Sequence, residues 1–115
     1  MLRHVNRFHG HGSLRYVYTR GRAIRSSQLT MKYIANPRRH HGRFSVVISK
    51  KVLKSAVKRN RVRRRIYEII RLELPHIQGG FDVVIMVFSS EVLLMPHDDL
   101  RTAVKQLFSQ AGLYK

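Results

Sequence analysis

The chain has 115 residues, with 23 Lys and Arg against 6 Asp and Glu, no cysteine and no tryptophan, for a formal net charge of +17. Its length allows one domain at most, and a hydrophobic fraction of 43% is too high for a wholly disordered basic tail. Without cysteine there is no disulfide framework, no thiolate nucleophile and no thiolate metal site.

Residues 1–12, with His9, Gly10, His11 and Gly12, read as a flexible lead-in with no apolar stretch for a secretory signal. Ser13 is placed to cap a short helix through Leu14, Val17 and Tyr18, which Gly21 would end. A short strand is expected near residues 22–26. From Ala23 the period is two: Leu29, Met31 and Tyr33 alternate with Thr30, Lys32 and Ile34. Asn36-Pro37 and the residues up to Gly42 form a turn, and Phe44 to Ser49 is β-branched and apolar enough to be the next strand, paired with the previous one as an antiparallel hairpin. A helix begins near Ser55 or Ala56 and stops before Pro75, with Val62, Ile66, Ile69 and Ile70 on one side and Asn60, Arg64, Tyr67 and Arg71 on the other. Gly79-Gly80 leads into Phe81 to Phe88, apolar on both alternating sets except at Asp82, as an interior strand would be. Asp98 or Asp99 then caps a last helix through Leu100, Val104, Leu107, Phe108 and Ala111. One domain over residues 13–115 is expected, of mixed α and β structure. The longest apolar run, Val83 to Phe88, is too short to cross a bilayer, so a cytoplasmic location is expected.

The charge is unevenly placed. All six acids (Glu68, Glu73, Asp82, Glu91, Asp98, Asp99) lie in the last 48 residues, while 19 of the 23 Lys and Arg lie in the first 67. Such a surface calls for a dense polyanion, and nucleic acid is the commonest one. An anionic membrane fits less well, because no amphipathic helix has a bulky apolar face left over once a core is built.

The densest part runs from Ser49 to Arg65. Lys50, Lys51, Lys54 and Lys58 lead into Arg59-Asn60-Arg61, and Arg63, Arg64 and Arg65 follow on successive helical positions. Guanidinium forks bridge phosphate oxygens, and an amide such as that of Asn60 donates to phosphate or a 2′-hydroxyl. In this stretch the chain resembles the protein subunit of bacterial ribonuclease P. The likeness rests on Ser49-Lys50-Lys51 at a strand end and on Arg59-Asn60-Arg61-Val62-Arg63-Arg64, which looks like that family's RNR motif. It extends to Asn6-Arg7-Phe8, to Leu14, Val17, Tyr18 and Gly21, to Phe81-Asp82 and to Leu113-Tyr114-Lys115. Two positions depart from the pattern: Leu53-Lys54 stands where the family often has a glycine, and Leu14 where it commonly has an aromatic ring.

The resemblance implies an α+β two-layer sandwich in the order α-β-β-β-α-β-α, similar to the second domain of ribosomal protein S5, with a left-handed βαβ crossover. It implies a ribonucleoprotein that removes the 5′ leader of precursor tRNA, with a catalytic RNA subunit that uses Mg²⁺. The protein would bind that RNA through Lys50, Lys51, Lys54, Lys58, Arg59, Asn60, Arg61, Arg63, Arg64 and Arg65. It would hold the single-stranded leader in a cleft between the first helix and the sheet, for which Leu14, Tyr18, Thr30, Lys32, Phe44, Ser45 and Val47 are the candidates. Stacking on an aromatic ring tolerates any base, which suits an enzyme with many leaders.

The residues themselves fit a binding role. A phosphodiesterase made of protein needs clustered carboxylates or a positioned base, and the basic half has no acid. His9, His11, His40 and His41 sit in Gly- and Arg-rich loops without an acid beside them, an arrangement that suits RNA contact better than a metal. No protein-held cofactor is expected. A ribosomal or other structural RNA-binding protein is the alternative, and a small DNA-binding protein a third, disfavoured by the strand-rich middle.

Overall fold

The computed structural model describes residue 2, residues 4–8 and residues 11–115, with the side chains at positions 4 and 11 outside the description. Three helices, α1 (His11–Arg20), α2 (Ala56–Glu73) and α3 (His97–Gln110), accompany four strands, β1 (Arg22–Arg25), β2 (Leu29–Ala35), β3 (Arg43–Ile48) and β4 (Phe81–Val87). The strands form one sheet in the order β1-β2-β4-β3.

β4 is the keystone of that sheet. It runs antiparallel to β2, with Met31 opposite Ile85, and parallel to β3, with Val46 opposite the same Ile85. β2 and β3 are therefore not the hairpin that their nearness in sequence predicts. Seven residues separate them, enough for the chain to step over the end of β4, and only a strand apolar on both faces can fill the slot between. Val83, Val84 and Ile85 are each wholly buried. The β3-α2-β4 unit is the crossover that parallel pairing requires.

The sheet has two unlike faces. Leu29 and Met31, Phe44, Val46 and Ile48, and Val83, Ile85 and Val87 join Val62, Ile66, Ile69 and Ile70 of α2 and Leu100, Val104, Leu107 and Phe108 of α3 in one core. Each such side chain contributes about 1.5–3 kcal/mol by leaving water. The alternate residues, Thr30, Lys32 and Ile34, Arg43, Ser45 and Val47, and Asp82, Val84 and Met86, lie on the other face by the strand period. There α1 packs on β2 and β4 with Val17 fully buried.

Local chemistry explains the boundaries. Ser55 caps α2, its hydroxyl accepting from the Lys58 N–H, and Pro75 follows in a 3-10 turn at Leu74–His76. α1 begins at His11, so Ser13 lies inside its first turn rather than at its cap. α3 starts behind Pro96, and Asp98 and Asp99, expected as caps, lie within its first turn, where their charge meets the positive end of the helix dipole. The segment read as a flexible lead-in contributes Leu2 to the core, Asn6 Nδ2 donates to the Gly42 carbonyl at 2.7 Å, and Arg7 bridges to Phe44 on the outer edge of β3. Further along that edge the Tyr67 hydroxyl of α2 accepts from the Val46 N–H at 3.1 Å, so a residue expected on the cationic side of α2 covers a strand edge instead.

Candidate nucleic-acid interface

Two surfaces collect the residues that the sequence singles out. The first is the exposed side of α2 and the turn before it. Lys50, Lys51, Lys54, Lys58, Asn60, Arg61 and Arg64 are exposed, and no carboxylate is paired with any of them among the described residues. Val57, Asn60, Arg61, Arg64 and Arg65 line a shallow depression of about 540 Å³. The arginines of this run are not equivalent. Arg65 turns back into the protein, donating to the carbonyls of Val92 (3.0 Å), Leu93 and Met95 in the connection between β4 and α3. Arg59 folds over the preceding turn, its Nη1 donating to the carbonyls of Leu53 (2.8 Å) and Lys54 (2.9 Å). Arg63 orients Asn60, donating to its Oδ1 at 2.9 Å and so leaving the Asn60 amide NH₂ free to donate outward. The residues most open to solvent are thus Arg61 and Arg64, with Asn60 at the edge of the pair. Arg65 is a brace.

The second surface is the α1 side of the sheet. α1 crosses one end of it. At the Arg43 end, Arg43 and Asp82 form a buried ion pair and Arg43 Nη1 lies 3.4 Å from Ser13 Oγ, while Phe8 sits over the Arg43 guanidinium at 4.9 Å. Lys32 donates to the Tyr18 carbonyl at 2.9 Å and holds its ammonium 5.9 Å from the Tyr18 ring centre. Leu14 and Tyr18 of α1 and the strand residues Ser45, Val47 and Met86 of the same face are all half-buried. Burial raises the Tyr18 hydroxyl above the ordinary tyrosine range.

Two of the expected cleft residues have other duties. Phe44 points to the opposite face, only 2% exposed, with its ring edge-on to Phe108 at 6.2 Å. Its neighbours Ser45 and Val47 have opposite parity to it, and a strand cannot turn residues 44 and 45 to one side. Thr30 is on the α1 side but buried, so it forms the floor. Of the histidines, His9 lies outside the described residues, as does the side chain of His11; His40 and His41 are exposed in the loop between β2 and β3. Among the described residues no three His, Asp or Glu side chains gather in one place. Phe8 and Arg43, not among the expected cleft residues, stack on each other on the α1 side, and only the strand parity of Arg43 with Ser45 and Val47 pointed there.

A model of the family described as Ribonuclease P matches residues 2–112. The ribonuclease P protein component of Synechocystis sp. is 40% identical over 97 residues, 84% of this chain and 77% of that protein. That of Chloroflexus aggregans is 35% identical over 112 residues, 97% of this chain and 82% of the relative. Among solved structures, the RNase P protein of Staphylococcus aureus superposes with a TM-score of 0.85 at 20% identity, covering 96% of this chain and 98% of that one. The RNase P protein from Thermotoga maritima gives 0.80 at 18% identity, covering 90% and 96%.

Proposed function

The chain belongs to the family of ribonuclease P protein components, and on that premise we propose that its two surfaces bind two different RNAs. The row Arg61, Asn60 and Arg64 docks on a catalytic RNA subunit, with Lys50, Lys51, Lys54 and Lys58 adding charge along the same side. The side of the sheet that carries α1 takes the single-stranded 5′ leader of precursor tRNA, with the half-buried Tyr18 as stacking ring and Lys32 as its nearest cation.

The observation that carries this division is the placement of α1. It packs on β2 and β4 with Tyr18 beside Lys32, and Ser45, Val47 and Met86 on the same sheet face stay partly exposed. A surface with few hydrogen-bond groups holds a chain of nucleotides without reading their order. The acids do not suit a metal-dependent nuclease site: Asp82 is bound to Arg43, Glu73 to Tyr114 and Glu68 to Arg71, while Glu91, Asp98 and Asp99 stand exposed. The chain's own residues do not fit Mg²⁺, and in this reading the hydrolytic metal ions belong to the RNA.

The test is cleavage of precursor tRNA by the family's RNA subunit at low Mg²⁺, with and without the protein. Stimulation is expected, and its absence overturns the reading. Tyr18→Ala should weaken precursor tRNA relative to mature tRNA, and Arg61→Ala with Arg64→Ala should weaken assembly with the RNA subunit. Equal loss of both properties in both variants would overturn the assignment of separate surfaces.

A further inference from the structure

α1 has a second flank. Residues two apart on a helix diverge by about 200°, so Tyr16 projects from the side opposite Tyr18. There α1 and the end of β2 enclose a cavity of about 560 Å³, walled by Ser13, Tyr16, Asn36 and Arg38 and floored by Arg43 and Asp82.

The chemistry of this cavity is selective. Its one carboxylate is fully engaged: Asp82 Oδ1 accepts from Arg43 Nε, and Oδ2 accepts from Arg43 Nη2 and from Asn36 Nδ2. The floor is therefore neutral as a pair, and the uncompensated charge is the exposed guanidinium of Arg38. Tyr16 is 56% exposed, a large ring left uncovered at the mouth. The loop that carries Arg38 is held in place. Asn36 N–H donates to the Gly80 carbonyl, Arg39 N–H donates to the Asn36 carbonyl at 3.0 Å, and a Cβ at Gly79 would lie 2.0 Å from the His40 carbonyl oxygen. In the same loop Arg39 Nε is buried without an acceptor among the described residues. A ring and a cation on a held loop beside a neutral polar floor suit a flat base linked to a phosphate.

We infer that the cavity between Tyr16 and Arg38 is a second single-strand RNA subsite, taking one nucleotide with its base on Tyr16 and its phosphate on Arg38. RNA as the occupant rests on the reading of the other flank as the leader track. The site itself adds a third contact surface to the two proposed above.

The absence of tryptophan makes the test direct. Tyr16→Trp and Tyr18→Trp, each made in the full chain, report their own flank through one emitting residue. Titration with a single-stranded uridine decamer should quench the Tyr16→Trp emission saturably, and adding Arg38→Ala should move the midpoint about tenfold to higher RNA. Polyglutamate should leave the emission unchanged. Unaltered Tyr16→Trp emission beside quenched Tyr18→Trp emission would overturn the subsite and leave the leader track standing. Quenching of Tyr16→Trp alone would uphold the subsite and remove the leader track. Equal quenching by polyglutamate would overturn RNA as the ligand. Because Tyr16 lies outside the core, a circular dichroism melt at the parent temperature is expected for the variant.

Discussion

Arg43 and Asp82, thirty-nine residues apart in the chain, meet on neighbouring parallel strands as a bidentate ion pair, with Nε donating to Oδ1 at 2.8 Å and Nη2 to Oδ2 at 2.7 Å. Both side chains are almost wholly removed from water. Removing one partner strands a buried charge, so Asp82→Ala should cost about 3–5 kcal/mol. The double change Arg43→Ala with Asp82→Ala should cost less than the sum of the singles. Urea denaturation of the four proteins measures this, and additive effects would show that the pair is not coupled.

The arginines of α2 should separate by phenotype. Arg65→Ala removes the donors that hold the Val92, Leu93 and Met95 carbonyls, and should lower stability by about 1–3 kcal/mol. Arg61→Ala and Arg64→Ala touch only solvent and should stay within about 0.5 kcal/mol of the parent. Each should instead reduce the salt slope of RNA binding by about 1. Thermal melts beside filter binding across a salt series check both.

Phe44 and Tyr18 form a similar contrast. Phe44→Ala opens a cavity beside Phe108 and should cost about 3–5 kcal/mol. At a temperature where the variant is folded, its preference for precursor over mature tRNA should match the parent. Tyr18→Ala should lose that preference with a smaller effect on the melting temperature. Competition between the two tRNAs for each variant decides it.

Alkaline pH should find the C-terminal segment. Burial pushes the Tyr114 hydroxyl well above its ordinary range, and its 2.7 Å hydrogen bond to the buried Glu73 carboxylate adds to the shift. The folded state holds this proton more tightly than the unfolded chain, whose tyrosines titrate near about pH 10. The contribution is therefore intact below about pH 10 and declines as pH rises toward the folded value. Tyr114→Phe should flatten that alkaline decline, with the remaining slope coming in part from Tyr18, which is shifted in the same direction. Chemical denaturation between pH 8 and about pH 11 measures the slope.

The helices and strands were legible in the sequence because each has its own period: 3.6 for Val62, Ile66, Ile69 and Ile70, and two for Leu29, Met31 and Tyr33. Which strands pair was not. The slot between β2 and β3 is filled by residues 81–87, and no local signal marks a contact across that distance. Side-chain direction failed at Phe44 for a related reason: an aromatic in a half-polar strand suits either face until the helices choose one. The charge run was legible as a surface, but the inward turn of Arg65 depends on carbonyls nearly thirty residues away. Leu2 was hidden by the polar residues around it, and Tyr16 by lying outside the stripe formed by Val17 and its neighbours.

The position of β4 also bears on how the protein is made. Synthesis runs from the N-terminus at about 5–20 residues per second. Nineteen cationic side chains and no anionic one are added before Glu68, and the sheet cannot close until residue 87 is free. For those seconds the nascent chain is an open polycation with an unfilled slot, made beside ribosomal RNA. The partner of its buried Arg43 is Asp82, which arrives on the strand that completes the sheet, so neutralisation of Arg43 and closure of the sheet go together.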